Sequence, residues 1–235
     1  MSKRDLLAVH GTWIFLLLAG CTGQAGPTAA QTGRNMDYDS TKRVGGPCEE
    51  GYCELMYLGM PAAINATDTS PGWNEPGQRL LVTGTVYQMD GKTAAEGVII
   101  YYHHTDKEGL YSPQGDRAED RTRHGHIRGW MKTGKDGRYS LYTNRPAPYP
   151  DRSQPAHIHW MIKEPDVKNE YWTDDLMFQD DPLLQPWLQH HRPGNMGGSG
   201  VVPVDWKGGV QLAVKDFVLG RNVPNYPKVT VAPLQ

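Results

Sequence analysis

An all-β fold, a sandwich with long functional loops and at most short helices, is what this sequence predicts. Three observations carry that prediction. Short β-branched or aromatic runs recur at 10–20 residue spacing between Gly- and Pro-rich turns, as expected for a sandwich. Gly (27) and Pro (18) are abundant among the 235 residues, which favours turns over long helices. No long stretch has a 3.6-residue hydrophobic period, no GxGxxG follows a strand and there is no Walker sequence, which argues against a doubly wound fold.

The first regular element is expected at residues 80–87 (L-L-V-T-G-T-V-Y), which alternates in part and is β-branched. Asp90-Gly91 marks a turn. Residues 98–103 form a dense apolar run, as in a strand buried on both faces. Residues 104–127 are polar and read as a long functional loop. Strands are expected at 127–133 and 139–143, joined by a hairpin turn at Lys135-Asp136-Gly137. A proline-punctuated loop precedes a strand at 156–163. Residues 171–196 read as loop with a short helix near 183–190, and 210–218 closes the sheet. A further short strand is expected at 55–60.

The N-terminus reads as a targeting segment. Lys3 and Arg4 precede a mostly apolar run from 11 to 20, too short for a span of roughly 20 apolar residues. It ends in Leu18-Ala19-Gly20-Cys21, which resembles a bacterial lipobox, with Cys21 as the lipidated residue. The expected organisation is a signal peptide at 1–20, a polar tether at 21–45 and one domain at 46–235. The protein is then expected to be exported and held at a membrane surface by its acyl anchor. Export implies an oxidising compartment, so Cys48 and Cys53 are expected to form a local disulfide. The net charge of −2 and the lack of a basic stripe exclude a nucleic-acid partner.

The chemistry concentrates in residues 149–159, Y-P-D-R-S-Q-P-A-H-I-H. Strand residues two apart share a face, so His157 and His159 present two imidazoles to one point while Ile158 faces the core. Two histidines are half a metal site. A carboxylate would complete a ferrous oxygenase triad; a third histidine, from His124 or His126, would complete a zinc site; tyrosinates would suit a hard trivalent ion such as Fe(III). Composition and spacing leave these three open. His124 and His126 read as loop or supporting residues, and Trp130 and Trp160 as core.

Longer motifs narrow the choice. Residues 138–150 (R-Y-S-L-Y-T-N-R-P-A-P-Y-P), 155–160 (P-A-H-I-H-W), 109–112 (G-L-Y-S) and 178–183 (F-Q-D-D-P-L) together resemble the intradiol ring-cleavage dioxygenases, the protocatechuate 3,4-dioxygenase and catechol 1,2-dioxygenase family. The likeness covers residues 78–185. It implies an Fe(III) cofactor held by Tyr111, Tyr149, His157 and His159, with Tyr149 the labile ligand displaced by substrate. It implies a small aromatic diol and O2 as substrates and a cis,cis-muconate-type diacid as product. Where the family commonly places an arginine before P-A-H-I-H, this chain has Gln154, so Gln154 and Arg152 are the candidates for that catalytic role. Arg145, which begins the Tyr149 loop, and His104, close in sequence to Tyr111, are the candidate substrate-binding residues. The competing classes are a non-catalytic, lipid-anchored binding module with a degenerate site and a zinc hydrolase using the histidine pairs.

Overall fold

The computed structural model describes residues 35–37, 41–115 and 123–230. The apolar run at 11–20, Cys21 and most of the expected tether lie outside the described residues. Among the described residues, no helix is long and apolar enough to cross a membrane.

Fourteen strands are present among the described residues. They are β1 (Asn35–Asp37), β2 (Thr67–Thr69), β3 (Arg79–Tyr87), β4 (Ile99–His104), β5 (Arg128–Lys132), β6 (Arg138–Asn144), β7 (His157–Lys163), β8 (Tyr171–Trp172), β9 (Leu176–Phe178), β10 (Val201–Val202), β11 (Asp205–Lys207), β12 (Val210–Val214), β13 (Phe217–Val218) and β14 (Lys228–Thr230). A five-residue helix, α1, spans Leu184–Leu188. One six-stranded sheet has the order β10-β9-β7-β4-β5, with β8 also on β7; the other six-stranded sheet runs β11-β12-β3-β6-β2, with β13 also on β3, and β1 and β14 form a separate two-stranded sheet. Both are mixed: β3 pairs antiparallel with β6 but parallel with β12 and β13, and β10 pairs parallel with β9. The all-β sandwich therefore holds.

The two-residue period of the strands builds the core. Leu80, Val82 and Val86 of β3 and Tyr139 and Leu141 of β6 meet Ile100 and Tyr102 of β4 and Ile158, Trp160 and Ile162 of β7 in one buried cluster. Slipping β7 by one residue would turn Ile158, Trp160 and Ile162 outward. Each is 0 % exposed, and burying such a side chain contributes about 2 kcal/mol, so the register is strongly set. The same alternation sends His157, His159 and Met161 to the outer face of this sheet.

Three expectations need correction. Residues 55–60 are not a strand: Glu49–Met56 is a 3-10 helix, and Met56 is buried while Tyr57 and Leu58 are exposed. Within that helix Cys53 and Met56, three residues apart, are buried, the spacing of a 3-10 turn rather than of a strand alternation. The strand expected at 210–218 is two, β12 and β13, separated at Lys215-Asp216. There Lys215 turns inward to 1 % exposure and donates from Nζ to the Ser199 carbonyl at 2.8 Å. The packed chain also begins before residue 46, because β1 pairs antiparallel with β14 and Val44 joins the core at 2 % exposure.

Candidate metal centre

The centre forms on the outer face of the β7–β4 sheet. His157 and His159 sit two apart on β7, and His103 of β4 lies directly opposite His159 in register. Each ligand-type histidine has one nitrogen already committed. His157 Nδ1 meets the Pro155 carbonyl at 2.7 Å, and His159 Nδ1 meets Asp175 Oδ1 at 2.8 Å. Both Nε2 atoms are thereby turned to the same point, 3.1 Å apart. Asp181 fixes the start of the strand, accepting from the Ala156 N–H at 2.8 Å.

The two tyrosines arrive from separate loops that are stitched together. Asp106 organises the first: Oδ1 accepts the N–H groups of Glu108 and Leu110 at 2.9 and 3.0 Å, and Oδ2 accepts the Ser112 hydroxyl at 2.6 Å. The Thr105 hydroxyl donates to the Ala147 carbonyl at 2.7 Å, joining that loop to the one carrying Tyr149. Gly109 (φ +81°) is required here, because a Cβ would lie 2.1 Å from the Pro148 carbonyl oxygen; Gly125 (φ +63°) lets the chain back directly onto Tyr111. As a result Tyr111 Oη lies 3.0 Å from Tyr149 Oη, which is 3.2 Å from His157 Nε2. Four donor atoms, two phenol oxygens and two imidazole nitrogens, thus form a chain of 3.0–3.2 Å steps.

The electrostatics follow from burial. Burial raises the pKa of the Tyr111 hydroxyl far above that of an ordinary phenol, and the adjacent Tyr149 adds to the rise. Burial also raises Tyr149, against a smaller opposing effect of its hydrogen bond from Tyr111. Burial and the neighbouring His159 lower the His157 pKa, which favours the neutral imidazole, the form able to bind a metal. Burial tends to raise the Asp175 carboxyl, but the charge and hydrogen bond of His159 outweigh it and hold Asp175 below the usual carboxylate range. His157, His159 and Asp175 also form a group whose donor atoms all lie within 4.8 Å of one another. Asp175 Oδ1 is spent on His159, so its place is behind that imidazole.

A cavity of about 730 Å³ opens over the centre, lined among others by Tyr111, Tyr149, His159, His103, His124 and Gln154. His103 stacks between His159 (centroids 4.6 Å, 22°) and His124 (3.7 Å, 9°), and His124 Nδ1 meets the Tyr101 hydroxyl at 2.7 Å.

The family model Dioxygenase_C, described as dioxygenase, matches residues 56–193. The chain belongs to the intradiol ring-cleavage dioxygenase family. It is 27% identical over 140 residues to catechol 1,2-dioxygenase 1 of Acinetobacter lwoffii, covering 52% of this chain and 42% of that protein. It is 28% identical over 156 residues to the chlorocatechol 1,2-dioxygenase of Cupriavidus pinatubonensis, covering 60% and 57%. The matched region thus spans about half the length of these relatives. Among solved structures, the dioxygenase domain of a dioxygenase–carbohydrate-binding fusion from Streptomyces sp. SirexAA-E aligns at TM-score 0.51 and 25% identity, over 66% of this chain and 87% of that one. The 3-chlorocatechol 1,2-dioxygenase of Rhodococcus opacus 1CP, at 21% identity and TM-score 0.50 over 68% and 67%, shares the fold.

Within this intradiol dioxygenase framework the structure brings Tyr111, Tyr149, His159 and Gln154 to one cavity, with His157 buried beside it, 3.2 Å from Tyr149 and 3.1 Å from His159. It does not bring the other three candidates there. His104 is 1 % exposed, faces the interior side of β4 and commits both ring nitrogens, to the Thr105 carbonyl and the Thr143 hydroxyl at 2.8 Å each. Arg145 grips Asp180 through two hydrogen bonds of 2.8 and 2.7 Å and lies 4.3 Å over the Phe178 ring. Arg152 is exposed on the turn after Tyr149, at φ +55°. Three groups escape a reading of the sequence alone. Asp175 sits in the Thr173-Asp174-Asp175 stretch, where the carboxylate pair is the one available signal. His103 becomes visible only once β4 and β7 are paired. The third is the segment before residue 56, whose Gly45, Pro47 and Tyr52 also line the cavity. Within that segment Cys48 and Cys53 are joined by a disulfide, with Cα atoms 5.8 Å apart.

Proposed function

We propose that this chain is a ferric intradiol dioxygenase that opens a catechol between its two hydroxylated carbons. One O2 is consumed, one ring C–C bond breaks and both oxygen atoms end in the product, a cis,cis-muconate-type diacid. The observation that carries this reading is the convergence of two phenol oxygens and two imidazole Nε2 atoms, with both Nδ1 atoms already tied off. That donor set suits a hard trivalent cation better than zinc, which takes nitrogen, sulfur or carboxylate oxygen. The family membership points the same way. Tyr111, Tyr149, His157 and His159 would hold the ion. When bound, ferric iron supplies the charge that holds the catecholate and renders its ring reactive toward O2.

The chain's own residues have distinct parts. His157 and His159 are fixed by β7, Pro155 and Asp175. Tyr111 is braced by the Asp106 loop. Tyr149 lies within the proline-punctuated loop and lines the cavity together with Tyr111; the family resemblance makes Tyr149 the donor that would give way to substrate. Its Oη, whose buried setting favours the protonated phenol, then takes up a proton that the catechol releases. Gln154 replaces the arginine that the family commonly carries; it donates a hydrogen bond without charge to a group in the cavity. His103, stacked on the His159 imidazole, walls the cavity beside the candidate ligands and limits water there. An exported, acyl-anchored location belongs to the same reading, supported by the Leu18-Ala19-Gly20-Cys21 sequence.

The test is oxygen uptake by iron-loaded protein against a catechol panel, with product ultraviolet spectra to separate intradiol from extradiol cleavage. Tyrosinate-to-iron charge transfer should colour the loaded protein red, and Tyr149→Phe should change both colour and turnover. A colourless protein without uptake supports the binding-module alternative. Activity restored by zinc, insensitive to Tyr149→Phe, supports the hydrolase.

A further inference from the structure

The chain from residue 43 to residue 57 forms a strap across the outer face of the β7–β4 sheet. Both of its feet rest on one carboxylate. Arg43 pairs with Glu170 at the first foot, and the Tyr57 hydroxyl donates to Glu170 Oε2 at 2.6 Å at the second. The first foot is also held by Asn169, which exchanges hydrogen bonds with the Val44 backbone at 3.2 and 3.0 Å. The second is held by the Trp130 indole, which donates to the Met56 carbonyl at 2.6 Å. Cys53 and Met56 pack on Tyr101 and Met161, the outward residues one step along the strands from His103 and His159. The Cys48–Cys53 disulfide closes the tip. Pro47 and Tyr52 at that tip are cavity wall, and Arg123 lies 4.7 Å over the Tyr52 ring.

This wall is out of proportion to a bare catechol. A cavity of about 730 Å³ falls in the range of roughly 300–1,000 Å³ that holds drug-sized ligands. A single-ring diol set at Tyr149 and His159 fills a small part of it. The cavity lining includes Pro47, Tyr52, Trp172 and Met196, flat or adaptable apolar groups suited to a second ring, with the Arg123 guanidinium on the Tyr52 ring beside them.

Resting on the catechol-cleaving reading above, we propose that the strap is the specificity wall of the cavity. It selects catechols that carry an aryl-sized apolar substituent, with Tyr52 as the residue that packs against that substituent. The disulfide acts through Tyr52, as a positioning element.

The experiment uses the full-length, iron-loaded protein and two readouts: equilibrium binding by calorimetry without oxygen, and kcat/KM by oxygen uptake. The probes are catechol and 4-phenylcatechol. The wild type should bind and turn over 4-phenylcatechol in preference to catechol. Tyr52→Ala should lower that preference about tenfold in both readouts, the worth of one aromatic contact with its burial. Tyr52→Phe should keep it. The Cys48→Ala/Cys53→Ala double variant should lower it in the same direction. A wild type that favours catechol, or a Tyr52→Ala change that weakens both probes equally, overturns the proposal while leaving the cleavage reading standing. Failure of the wild type to bind or cleave either probe overturns both. Melting midpoints of the variants separate loss of fold from loss of preference. If the alanine variant fails to fold, Tyr52→Leu, which keeps apolar bulk without a ring, takes its place: a lowered preference supports the proposal and an unchanged one overturns it.

Discussion

Asp175→Asn keeps the side chain's shape and removes its charge. Asp175 Oδ1 accepts from His159 Nδ1 at 2.8 Å, which fixes the tautomer that leaves Nε2 free to ligate. A hydrogen bond to a charged group contributes about 1.5–3 kcal/mol. Loss of the partner behind a metal-binding histidine costs roughly 10–100-fold in affinity, which is about 1.4–2.8 kcal/mol. The two ranges agree. The asparagine carbonyl can still accept from Nδ1–H, so the lower part of the range, about tenfold, is expected. The assay is competition for Fe(III) against a chelator of known affinity, with the melting midpoint followed in parallel. Unchanged iron affinity would refute the role of Asp175 in orienting His159. A loss as large as that of His159→Ala would refute it in the other direction, making Asp175 a direct ligand.

Three further outcomes are expected. Burial holds the His104 imidazole down to about 4, below its unfolded value near 6.5, so the unfolded state binds the extra proton first. Above pH 6.5 both states hold the neutral ring and the shift has no effect; as pH falls from 6.5 toward 4 the fold loses about 3 kcal/mol to protonation of the unfolded state, and denaturant melts of His104→Gln should show a shallower pH dependence than wild type over that window. Removing the disulfide with Cys48→Ser/Cys53→Ser should cost about 2 kcal/mol for so short a loop, read as a lower denaturant midpoint. Arg145→Gln should cost about 1 kcal/mol or less through the partly exposed Asp180 pair and leave the ranking of substrates unchanged, a ranking checked by oxygen uptake.

The strands and the His-x-His face are legible in the sequence because alternation is local: Ile158 inward with His157 and His159 outward needs only the pleat. The Tyr111 and Tyr149 loops are legible through motif likeness, and the structure adds the Asp106 bracing that brings the two hydroxyls within 3.0 Å. What stays hidden depends on pairing across the chain. His103 enters the site because β4 lies beside β7, and no local pattern states that register. A charge likewise does not name its partner. Arg145 has the character of an anion-binding residue, but the anion it grips is Asp180, 35 positions on. His104 sits next to His103 in sequence but on the opposite face, where the hydroxyl of Thr143 takes it out of the chemistry. Residues 55–60 suggest a strand because their apolar side chains are closely spaced. In the fold Leu55 and Met56 end a short helix and residues 57–59 are turn, on the outside of the sheet, where neither a core alternation nor a long helical period applies.

The central claim, ring opening between the two hydroxylated carbons, is tested most directly by the product made in isotopically labelled dioxygen. Iron-loaded protein supplied with catechol and 18O2 is predicted to give a muconate-type diacid carrying two 18O atoms. A semialdehyde from cleavage outside the diol, or a loaded protein that consumes no oxygen with any catechol, would contradict it.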